Sequence, residues 1–208
     1  MAGFGPSLAG LWATYRTNGR HGLRALAQRL RPRAAAMPYY VLSFLALAGL
    51  AAIAAWPWGP PLPTVASAVP LMAASLLRDT GPLGEEFGWR GFMLPALRQS
   101  QTPFQAALWV GVAWTLWHLP TFFIPSLPQA QVAFPAFAIN TVALSLLMTW
   151  LAERTGGDLL LMIWTHWLAN TALLVFAPPL WGMAAGTAAL AMALSPALRT
   201  PRVAADGA

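Results

Sequence analysis

Cysteine is absent from this 208-residue chain. Its absence excludes disulfides, thiolate metal sites and a cysteine nucleophile. Lysine is missing too, so all twelve basic residues are arginine, and acids are scarcer still, with six Asp and Glu in total. Charged residues make up only 9% of the chain, against 58% hydrophobic residues and eleven Trp. Soluble domains carry far more charge and less apolar weight, so the composition describes an integral membrane protein whose natural partner is the lipid bilayer. The formal charge of +6 does not point to nucleic acid. Six arginines, Arg16, Arg20, Arg24, Arg29, Arg31 and Arg33, fall in one short segment between apolar stretches, the pattern of a positive-inside cytoplasmic loop.

A helical span needs about 20 apolar residues, which leaves room for roughly six or seven transmembrane segments. The expected fold is all-α, a polytopic helical membrane bundle forming one domain over residues 1–199, with 200–208 as a disordered cytoplasmic tail. The first apolar run, to Tyr15, is short for a full span and reads as a partial or re-entrant helix. Residues 16–33 set Leu23, Leu26 and Leu30 among arginines, the spacing of a basic amphipathic helix on the anionic cytoplasmic surface, ended by Pro32. A clear span follows at 37–56, then the turn-forming "PWGPPLP" and a weaker apolar run at 60–77 with an internal Pro70. Arg78 and Asp79 mark its return to the cytoplasmic side. Further apolar blocks start at 103, 133 and 158, and a Gly/Ala-rich run covers 178–196. Between them, Glu153, Arg154 and Asp158 read as a solvated cytoplasmic turn.

Ionisable side chains in or beside spans are costly and usually mark a site. Six polar residues stand out: Glu85, Glu86, Arg90, His118, His166 and Asn170. Glu86 and Arg90 stand at i and i+4 on a helix, the arrangement for an ion pair, while Glu85 is turned about 100° away. One carboxylate is then neutralised and the other is left free as a candidate base in a low-dielectric pocket. His166 and Asn170 share a face at i and i+4, as do Trp114 and His118. If these faces converge on Glu85, the group could activate a water and stabilise the oxyanion formed at a peptide carbonyl. Glu85, His118 and His166 could equally hold a divalent metal such as Zn2+.

The order of these residues carries a resemblance. "EEFGWR" fits an EExxxR motif, "WTLWH" approximates FxxxH and "HWLAN" fits HxxxN, each on its own hydrophobic segment. Together with "FGPSLAGL" near the start, they make the chain similar to the CPBP intramembrane protease family. That family includes type II CAAX prenyl endopeptidases and relatives linked to bacteriocin self-immunity. The resemblance implies a helical bundle around a conical intramembrane cavity. By the same resemblance Glu85 and His118 activate the attacking water, His166 and Asn170 form the oxyanion site, and Glu86 with Arg90 supports them. Trp114 departs from the pattern, which usually has Phe there, though an aromatic ring still fills the position.

The expected function is therefore an intramembrane endopeptidase of a bacterial cytoplasmic membrane, its site open to the cytoplasm, acting on a membrane-associated peptide or protein. The rival reading is a proteolytically silent scaffold or immunity factor that binds a peptide in the same cavity. The sequence lacks the HExxH of zincins, the GxSG of rhomboid proteases and the full GxGD of intramembrane aspartyl proteases. It also shows no repeated halves of the kind transporters carry.

Overall fold

The computed structural model describes residues 2–58 and 64–199 of the chain. Every long element among them is helical, and no strand occurs there. The tail expected to be disordered, 200–208, and most of the Pro-rich link after Trp58 lie outside the described residues.

Three helices are long and apolar enough to cross a membrane: α2 (Met37–Ala55, with the turn before it), α7 (Phe134–Thr155) and α8 (Leu159–Phe176). The helices α3 (Val65–Arg78) and α9 (Leu180–Leu194) are apolar but shorter, and α6 (Pro103–His118) adds another apolar helix. The fold is thus an all-α membrane bundle. Burial separates its layers: the apolar windows of α7 and α8 are 56% and 61% buried, against 22% for α2. Helices α7 and α8 are therefore central, and α2 is peripheral. Leu47, Val110, Leu144, Met148, Leu159, Met162 and Leu168 belong to one continuous core that joins α2, α6, α7 and α8.

The amino-terminal region differs from expectation in form. The partial helix and the basic amphipathic segment are one element, α1 (Gly5–Gln28), bent at Gly19, whose φ of 59° is open to glycine at little cost. Arg16, Arg20 and Arg24 are exposed along it. Arg29 is not a surface charge: its guanidinium donates to the carbonyls of Gly157 at 2.7 Å, Arg90 at 2.9 Å and Gly91 at 3.1 Å. Burial, with Arg33 nearby, lowers its pKa from the usual arginine value, partly offset by Asp158. Asp158 is also a correction, because it is fully buried. It caps α8 by accepting the Leu161 N–H at 2.9 Å and receives the Tyr40 hydroxyl at 3.3 Å. The charges at the α7–α8 turn are held in other ways as well: Glu153 pairs with Arg98 at 2.9 Å, and Arg154 lies over the Trp150 ring at 4.9 Å.

Candidate active site

Glu85 and Glu86 lie in a short helical run of unusual geometry. Helix α4 (Gly81–Glu86) passes into a π-helical turn, Phe87–Met93, and then α5 (Leu94–Leu97). Such turns are uncommon and concentrate at functional sites. Residues four apart meet along this run, Glu85 with Trp89 and Glu86 with Arg90. The "FGPSLAGL" stretch explains how this run is seated. Ser7 donates its hydroxyl to the Leu83 carbonyl at 2.8 Å. Gly84 and Gly88 lie against the backbone of Gly3 and Pro6 so closely that a Cβ on either would overlap a carbonyl. Small residues spaced for close helix contact therefore bring α1 against the glutamate turn.

The two carboxylates lead different lives. Glu86 is fully buried, and one of its oxygens, Oε1, receives Arg90 Nη1 at 2.9 Å and His166 Nδ1 at 2.9 Å. Arg90 is equally buried, with its guanidinium 4.5 Å from the centre of the Trp114 ring. Glu85, 4% exposed, is not left free as the spacing implied. Its Oε2 receives two indole N–H groups, from Trp114 at 2.6 Å and Trp89 at 3.3 Å. Hydrogen bonding by two neutral donors holds this carboxylate in place. Its other oxygen, Oε1, lies 3.7 Å from His118 Nε2.

His118 has its tautomer set by its backbone. Nδ1 stands 3.0 Å from the Trp114 carbonyl, which can only accept, so Nδ1 carries the hydrogen in the neutral ring and Nε2 offers a lone pair toward Glu85. Phe137 packs against the same ring at 5.3 Å between centres. A separation of 3.7 Å is too long for a direct hydrogen bond and suits one water touching both atoms.

The remaining candidates sort differently from the expectation that all would face Glu85. His166 gives Nδ1 to Glu86, and its ring stands edge-on to Trp114 at 4.8 Å. Trp114, one turn before His118, is therefore the residue level with His166. Asn170 donates Nδ2 to Asp79 Oδ2 at 2.9 Å. Asp79 is accordingly a half-buried partner of the site. Sequence reasoning missed it because it lies outside the three motifs, and its only signal was its rarity in so acid-poor a chain. Trp89 and Trp114 are hydrogen-bond donors to the central carboxylate.

Among the described residues, no three His, Asp or Glu side chains are grouped to hold a metal ion. With His166 Nδ1 on Glu86 and Glu85 Oε2 on the indoles, Glu85 Oε1 and the Nε2 atoms of His118 and His166 are the atoms of the three that would ligate. Two cavities on the apolar flanks of α7 and α9 have none of the six candidates in their lining.

Fold and site together define a class: an all-helical membrane protein with a buried carboxylate–imidazole centre built from three separate helical segments. A family model described as "Type II CAAX prenyl endopeptidase Rce1-like" matches residues 67–172, from α3 into α8, a stretch that holds Asp79 and all six candidates. The chain belongs to this Rce1-like family. Among curated proteins it is similar to CAAX prenyl protease 2 of Methanococcus maripaludis, at 28% identity over 108 residues. That match covers 49% of this chain and 39% of the relative.

Proposed function

We propose that the chain is an intramembrane endopeptidase that hydrolyses a peptide bond of a membrane-associated protein through a water held by Glu85 and His118. The observation that carries the reading is the facing pair of acceptors, Glu85 Oε1 and His118 Nε2, 3.7 Å apart. A water donating one hydrogen to each would turn its lone pairs toward an incoming carbonyl carbon. Glu85 takes the proton as the oxygen attacks, then returns it to the departing amine. The developing oxyanion is stabilised by His166 and Asn170. With Nδ1–H committed to Glu86, His166 can donate from Nε2 only as the imidazolium. Glu86 and Arg90 act as the fixed frame, joining α8 to the π-helical turn. The exposed Arg16, Arg20 and Arg24 support placing this end of the bundle on the cytoplasmic side.

The test is cleavage in proteoliposomes, followed by mass spectrometry. Two substrates are offered: a farnesylated CAAX peptide, chosen because the relative is a CAAX prenyl protease, and an unprenylated membrane-anchored peptide. Wild type is expected to release product from at least one of them. Glu85→Gln is expected to release none while unfolding like wild type. Product from Glu85→Gln sinks the mechanism, and peptide binding without cleavage by the wild type moves the assignment to a silent scaffold.

A further inference from the structure

Asp79 joins two elements that carry the site. It ends α3 in extended backbone, φ −82° and ψ 90°, and its two oxygens serve different partners. Oδ1 accepts the Gly81 N–H at 3.1 Å, which fixes the carboxylate against the start of α4. Oδ2 accepts Asn170 Nδ2 at 2.9 Å, across to α8. Gly81 is the meeting point. A Cβ placed there would lie 3.8 Å from Asn170 Nδ2 and 3.8 Å from Glu85 Oε1. The amide of Asn170 and the carboxylate of Glu85 thus border the same space beside Gly81 that a side chain there would enter.

A side-chain amide is nearly symmetric in shape and carries a donor on one side and an acceptor on the other. Its partner decides which side faces where. An ionised carboxylate accepts only, so Asp79 draws the nitrogen of Asn170 toward itself and toward Gly81. One N–H is spent on Asp79, and the second, on the same nitrogen, remains for a neighbour. Had the amide been turned over, its carbonyl would face two carboxylates and repel any developing negative charge.

We propose that Asp79 is a positioning residue of this site, which holds Asn170 with its nitrogen, and not its carbonyl, beside Glu85. The proposal rests on the hydrolytic reading for its consequence in rate, but the orientation itself can be read without activity. An asparagine at 79 has one oxygen for two donors. If that oxygen stays on Gly81, its NH2 faces Asn170 and turns the amide over.

The experiment pairs kinetics with side-chain NMR. The chain has three asparagines, Asn18, Asn140 and Asn170, so selective 15N-asparagine labelling of the full chain in micelles yields three side-chain amide pairs. The pair lost in Asn170→Gln identifies Asn170. Asp79→Asn adds a fourth pair, its own, identified as the new pair that persists when Asn170→Gln is combined with it; the Asn170 pair is expected to shift strongly while those of Asn18 and Asn140 stay in place. The same variant is expected to lose about ten- to a hundredfold in kcat, equivalent to one or two of the lost hydrogen bonds, with KM and unfolding midpoint unchanged. Asp79→Glu, which keeps an acceptor-only partner, is expected to recover part of the rate. An unmoved Asn170 pair in Asp79→Asn overturns the proposal whatever the activity. So does wild-type kcat in that variant, or a loss that tracks a lowered unfolding midpoint. Product from Glu85→Gln, measured alongside, sinks the hydrolytic reading alone and leaves the NMR result to decide the orientation.

Discussion

Exchanging Arg90 for methionine leaves the Glu86 carboxylate fully buried with only His166 to answer it. The structure permits a magnitude. Both members of the pair are inaccessible to solvent and joined at 2.9 Å, and removing one partner of such a pair costs about 3–5 kcal/mol, because the other charge is stranded. Methionine conserves length and apolar volume, so little of the loss should come from a cavity. Glu86→Gln strands the opposite charge, Arg90, while keeping an oxygen to accept His166 Nδ1. It should cost a similar amount. The double variant removes both charges and keeps that acceptor, so it should be no less stable than the worse single variant. The cycle should then show a coupling of about 3 kcal/mol. Equilibrium unfolding in mixed micelles, followed by the fluorescence of the eleven tryptophans, measures all four proteins. Losses that simply add in the double variant would refute the idea that this pair is a coupled buried frame.

Trp114→Phe keeps an aromatic ring but removes the 2.6 Å donor to Glu85. A hydrogen bond to a charged group contributes about 1.5–3 kcal/mol, so turnover should fall roughly ten- to a hundredfold, and unchanged kcat would show that the indole only fills space. Gly88→Leu places a side chain into the Pro6 backbone; overpacking costs about 1–3 kcal/mol or more, and a lower yield of folded protein and a lower unfolding midpoint are expected. Asp158→Ala removes the α8 cap that holds the Leu161 N–H. It should destabilise by about 1 kcal/mol, which thermal unfolding in detergent would detect.

Composition and periodicity by themselves determined the membrane setting, the helical class and the three segments that carry the polar residues. In an apolar chain each ionisable group is costly, so its presence is informative at once. The Glu86–Arg90 pair was equally legible, since two residues four apart on a helix meet whatever the rest of the chain does. Partners across helices were not. The pairing of His166 with Glu86 and of Asn170 with Asp79 depends on the packing of α4 and its π-helical turn against α8, a long-range choice that residue spacing within one helix does not encode. The same holds for Arg29, which read as one more charge of a basic surface segment, and for Asp158, which read as part of a solvated turn, until the fold closed over them. Tertiary packing decides which carboxylate each imidazole reaches, and that choice leaves Glu85 Oε1 and His118 Nε2 facing each other.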